Sequence, residues 1–141
     1  MKLGDFGIAK VLSNTVEKAV TIVGTPYYLS PEIINNKPYS FKSDLWSLGV
    51  LLYEMCALKP PFNGANIHML AMQIVRGQFG ALPTHYSYEL RGLVNKMLNQ
   101  DPNKRPSINQ LLNEKILREK IKIFLSKSSM QEEFSHTLLH K

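Results

Sequence analysis

The sequence predicts a mainly α-helical domain entered through a long extended segment. Apolar residues recur at helical spacing in four stretches after residue 43, whereas residues 8–30 show almost no such repeat. Residues 4–7 and 60–61 supply glycine and proline punctuation around these regions. With 141 residues, 44% of them hydrophobic and 20% charged, the composition is that of one soluble globular domain able to bury a core.

Residues 1–4 read as the end of a short strand, and Gly4 and Gly7 then bracket Asp5 and Phe6 in a turn. Residues 8–30 follow as an extended loop, and a loop of that length inside a compact domain is usually functional. Pro31 suits the first turn of a short helix over about 31–35. The strongest helix covers about 43–57, with Ser43 as its cap and Asp44 in the first turn. It is apolar almost all round, which places it in the middle of a domain, and Pro60 and Pro61 stop it. A helix over about 66–76 puts Ile67, Leu70, Ala71 and Ile74 on one face. Ser87 caps the next, which carries Leu90, Leu93, Val94, Met97 and Leu98. Ser107 caps a short helix through Leu112. Residues 114–125 form a last amphipathic helix with Ile116, Leu117, Ile121 and Phe124 inward, and residues 126–141 read as a polar, disordered tail.

Charge and cysteine content narrow the classes. The net charge of +6 is spread along the chain without a basic patch interleaved with aromatics, so nucleic-acid binding is not expected. Cys56 is the single cysteine and lies in an apolar run, which predicts a small core residue in a reducing compartment. No apolar stretch reaches the ~18 residues that would span a bilayer, and membrane insertion is not expected. The four histidines lack metal-ligand spacing.

The motifs carry the chemistry. Asp5-Phe6-Gly7 combines a carboxylate suited to Mg²⁺, an aromatic that can pack to fix a loop, and a glycine that frees the backbone. "GTPYYLSPE" at 24–32, "DLWSLG" at 44–49 and "DPNKRP" at 101–106 follow in order. In that order the four resemble a protein kinase, from its metal-binding triplet through the activation segment (residues 5–32) and into the helical C-terminal lobe (33–125). "GDFGIAK", the doubled tyrosine, "LSPE" and "HYSYELRGLVNKMLNQDPNKRPS" are similar to the NIMA-related (never in mitosis) serine/threonine kinases. The likeness spans about residues 2–125.

That resemblance implies transfer of the ATP γ-phosphate to protein serine or threonine hydroxyls, with ATP and Mg²⁺ as cofactors. Asp5 would hold the metal, with Phe6 and Gly7 shaping its loop. Thr25 would favour aliphatic hydroxyl acceptors over tyrosine. Thr21 would be a regulatory phosphosite, for which an unmodified loop hydroxyl is the competing reading. Glu32, Asp44, Trp46 and Arg105 would be scaffold residues: Glu32 pairing with Arg105, and Asp44 holding the catalytic-loop backbone.

The sequence contains neither H-R-D nor G-x-G-x-x-G. The N-terminal lobe and the catalytic loop, which supply the base, the second metal ligand and the nucleotide clamp, are therefore missing from residues 1–141. Catalytic residues are none, and the chain on its own is expected to be inactive. The central helix is expected to expose apolar surface, leading to aggregation or to cover by a partner or chaperone. A non-catalytic, kinase-derived interaction module is the rival reading. The expected compartment is the cytoplasm, with association to cytoskeleton, cilium or nucleus implied by the family.

Overall fold

The computed structural model describes residues 27–124. Within them lie six α-helices and one 3-10 turn: α1 (Pro31–Ile34), α2 (Phe41–Ala57), α3 (Ile67–Arg76), α4 (Tyr88–Met97), the turn Pro102–Lys104, α5 (Ile108–Asn113) and α6 (Lys115–Phe124). No strand occurs among the described residues, as the mainly helical reading expects. The strand read at 1–4, the loop over 8–26 and the polar tail lie outside them. The chain divides into two compact units, with the boundary after Ser107.

In the first unit α4 and the Pro102–Lys104 turn pack against α2, and α1 packs against α3. Helix α2 starts two residues earlier than its sequence suggests, because Ser40 and not Ser43 is the N-cap. The Ser40 hydroxyl accepts from the Lys42 amide at 3.2 Å, and the Ser43 hydroxyl accepts from the Ser40 amide at 3.3 Å. The Ser43 hydroxyl is an acceptor in this capping box, so its own proton remains to be donated elsewhere. At the other end Leu58 takes the left-handed conformation, φ 58°, and its amide bonds the Glu54 carbonyl; Pro60 and Pro61 then prevent any continuation.

The core forms where α2 meets the loop after it, α3 and α4. Trp46, Val50, Tyr53, Phe62, Leu70, Ile74, Leu82, Val94 and Leu98 make one buried cluster. Trp46 and Phe62 stack at 5.4 Å between ring centroids, and Phe79 meets Phe62 and Tyr53 edge-on at 5.8 and 5.7 Å. The helix-following segment is thereby folded back onto the helix it leaves. Gly49 sets the approach of α4: a Cβ built there would stand 2.8 Å from the Met97 Cβ and 3.1 Å from a Leu98 methyl.

Asn66 caps α3 through the Met69 amide and Ser87 caps α4 through the Leu90 amide. The stripe expected on α3 is narrower than its spacing predicts: Leu70 and Ile74 are buried and Ala71 half-buried, but Ile67 is exposed, since it opens the helix before the helix reaches the core. On α4 Leu93, Val94 and Met97 are buried and Leu90 is half-buried. α2 also departs from an all-round burial. Leu48, Leu51 and Met55, at i, i+3 and i+7, form an exposed apolar stripe, with Met55 66% exposed.

The second unit holds α5 and α6. The Asn113 side-chain amide donates to the Asn109 carbonyl, and Lys115 and Glu119 form an exposed i,i+4 pair at 3.9 Å. On α6 Ile116, Leu117 and Ile121 are half-buried, as expected, but Phe124 is 87% exposed and not inward, standing at the last residue of the helix.

Candidate functional site

The described part of "GTPYYLSPE" leads into α1, whose proline occupies the first helical position. Glu32, the next residue, points inward and meets Arg105, 73 residues later. The contact is bidentate: Arg105 Nη1 donates to Glu32 Oε1 at 2.7 Å and Nη2 to Oε2 at 2.8 Å. Both side chains are out of water, with 0% of Arg105 and 5% of Glu32 exposed.

A buried ion pair is stable only when its remaining donors and acceptors are met. Here they are. Arg105 Nε donates to the Asn99 carbonyl at 2.7 Å, Nη1 also to the Lys42 carbonyl at 2.8 Å, and Nη2 to the Gln100 carbonyl at 3.3 Å. The Ser43 hydroxyl, which accepts from the Ser40 amide in the α2 cap, donates its own proton to Glu32 Oε1 at 2.9 Å. The Lys42 ammonium donates back to the Arg105 carbonyl. The guanidinium carbon stands 4.9 Å from the centroid of Trp46, a cation–π contact in a desolvated setting. Burial alone would push the Glu32 carboxyl up, but hydrogen bonds from Arg105 and from its own backbone amide, with the guanidinium charge, outweigh burial and hold it below the ordinary glutamate range.

Three expected scaffold residues, Glu32, Trp46 and Arg105, are thus one structural knot. Asp44 lies on the same helix but takes a different partner: the Tyr39 hydroxyl donates to its Oδ1. Burial pushes the Asp44 carboxyl up. Asp5, Phe6, Gly7, Thr21 and Thr25 lie outside the described residues.

Sequence reasoning missed the polar row on α2. Ser43, Ser47 and Glu54 share one helix face, being four and seven residues apart. Ser43 bonds Glu32, the Ser47 hydroxyl donates to the Tyr28 carbonyl at 3.0 Å, and Glu54 Oε2 accepts from the Tyr28 hydroxyl at 2.8 Å. That hydrogen bond, then burial and the carboxylate charge, push the Tyr28 phenol above its usual value. The row is visible in "SDLWSLGVLLYE" as polar residues at helical spacing, a signal that the apolar majority of the helix obscures.

Among the described residues no three of His, Cys, Asp and Glu gather as a metal site, and no helix is long and apolar enough to cross a membrane. His68 and His85 are exposed. Cys56 is half-buried and unpaired, and burial pushes its thiol up, which suits a packing residue better than a nucleophile.

The protein kinase domain family model matches residues 1–117. Serine/threonine-protein kinase Nek1 of Mus musculus is 48% identical over 141 residues, 100% of this chain and 12% of that protein. Serine/threonine-protein kinase Nek5 of Homo sapiens is 49% identical over 138 residues, 98% of this chain and 20% of that protein. A probable serine/threonine-protein kinase nek3 of Dictyostelium discoideum is 53% identical over 113 residues, 79% of this chain and 10% of that protein. The chain therefore spans a fifth or less of the length of these relatives. Its motifs, its helical architecture and these matches agree: the chain belongs to the protein kinase family, in the branch of the Nek serine/threonine kinases.

Proposed function

We propose that this chain is the acceptor-facing part of a serine/threonine protein kinase, which transfers the γ-phosphate of ATP to serine and threonine hydroxyls of other proteins. The observation that supports this most is the buried Glu32–Arg105 pair. It fastens the residue seven positions after Thr25 to the rigid α2 core, and phosphoryl transfer depends chiefly on such positioning.

Each site residue has a part in this reading. Asp5 would hold the Mg²⁺ that accompanies ATP, with Phe6 and Gly7 as its neighbours in the motif; the metal would supply charge neutralisation at the transferring phosphoryl group. Thr25 favours aliphatic hydroxyl acceptors. Phosphate on Thr21 would add nearly two negative charges and order the segment through basic groups. Glu32, Arg105, Trp46 and Asp44 position and do not react. Protein substrates bearing serine or threonine are the partners, and the cytoplasm is the compartment.

Residues 1–141 alone contain no catalytic-loop or glycine-rich motif, so the chain in isolation is inactive in this reading. A second reading, a non-catalytic interaction module, draws on the exposed stripe Leu48, Leu51 and Met55, an apolar surface that a partner or chaperone could cover. One experiment separates them. The chain is joined behind the residues of human Nek5 that precede its match, and ATP-dependent phosphorylation of a serine-containing peptide is followed. The kinase reading predicts transfer by the chimera, none by the isolated chain, and none by an Asp5→Asn chimera. A chimera that folds and binds ATP yet transfers no phosphate overturns it in favour of the module.

A further inference from the structure

We propose that Ser47 is a positioning residue for the acceptor-facing segment, acting as a switchable hold on the backbone at residue 28. This rests on the kinase reading above.

A serine inside a helix ordinarily returns its hydroxyl proton to the carbonyl four residues back. Ser47 has that option, with the Ser43 carbonyl at 3.3 Å, and a second, the Tyr28 carbonyl at 3.0 Å. A hydroxyl carries one proton, so the two carbonyls compete for it. The shorter contact reaches outside the helix and fixes the peptide unit that joins Tyr28 to Leu29. Leu29 and Ser30, the next residues, are buried, and Ser30 is the N-cap of α1. Holding the 28 carbonyl therefore sets the path by which the chain enters the Glu32–Arg105 knot.

The second acceptor makes the hold reversible. If residue 28 lifts away, the Ser47 proton turns to the Ser43 carbonyl and no donor is stranded, so release lacks the penalty of an unmet buried group. The Tyr28 side chain is held separately at Glu54, two helical turns further along the same face. Ser47 thus acts on the backbone, and its effect is separable from that of the phenol.

Two measurements test this. Hydrogen exchange of the 27–30 segment in the chain itself is expected to quicken about fivefold in Ser47→Ala, the loss of one neutral hydrogen bond, with Ser47→Thr restoring the slow rate and the amides of Val50 and Val94 unchanged. In the Nek5 chimera, Ser47→Ala is expected to raise the peptide KM about fivefold while the ATP KM stays the same, and Ser47→Thr to reverse the change. Exchange in Ser47→Ala equal to wild type overturns the hold, as does a Thr variant no better than Ala. Faster exchange with an unchanged peptide KM overturns the role in acceptor positioning. A wild-type chimera without activity overturns the kinase reading, while the exchange result still decides whether Ser47 holds the segment.

Discussion

Arg105→Ala removes one side of a buried pair and leaves the other. The Glu32 carboxylate, 5% exposed and held in its charged form, would keep the Ser43 hydroxyl as its side-chain donor. Removing one partner of a buried ion pair costs about 3–5 kcal/mol, most of it the desolvated charge left behind. The loss of hydrogen bonds to the Asn99, Lys42 and Gln100 carbonyls and of the contact over Trp46 places this variant at the upper end. A domain of this size is stable by roughly 5–15 kcal/mol, so about 4 kcal/mol would lower the Tm by about 15 °C or more, or leave the chain unfolded. Trp46 is the single tryptophan and lies against Arg105, so its fluorescence through a urea titration reports the site directly. Glu32→Leu combined with Arg105→Met is expected to regain much of the loss, since an apolar pair strands no charge. An Arg105→Ala variant within about 1 kcal/mol of wild type would refute the reasoning, because the pair would then be peripheral to the fold.

Other perturbations probe separate links. Gly49→Ala drives a methyl into Met97 and Leu98 at the α2–α4 crossing and is expected to cost about 1–3 kcal/mol by chemical denaturation. Ser40→Ala loses the α2 cap at about 1 kcal/mol, whereas Ser43→Ala also takes a hydrogen bond from Glu32, so it is expected to be the more damaging of the two in the same titration. The folded-state Glu32 carboxyl lies below its ordinary value of 4.5, so its contribution is fully present above that value and is lost as pH falls toward the depressed folded value. Unfolding free energies measured from pH 7 downward should thus fall more steeply below about pH 5 for wild type than for Glu32→Gln.

The helices were legible because apolar spacing and local caps are written in neighbouring residues. Pro31, Ser87 and the spacing of Leu93, Val94 and Met97 each gave a correct element. The start of α2 was misread because Ser40 and Ser43 are equally good caps in isolation. Ser43 belongs to Glu32, eleven residues upstream, and that bond is a tertiary fact. Ile67 and Phe124 show the same limit: periodicity places a side chain on a face, but whether the helix end reaches the core depends on what it packs against. The Glu32–Arg105 pairing came from family motifs and not from spacing, since nothing local links residues 73 apart. The Tyr28 contacts with Ser47 and Glu54 stayed hidden because each residue taken alone is an ordinary helix or loop residue.

Acceptor choice bears most directly on what this chain contributes to a kinase. In the Nek5 chimera, transfer would be measured by mass spectrometry to three peptides identical except for serine, threonine or tyrosine at one position. Phosphate on the serine and threonine peptides, and none on tyrosine, is the predicted result. A tyrosine preference, or no transfer to any of the three by a folded, ATP-binding chimera, would contradict it.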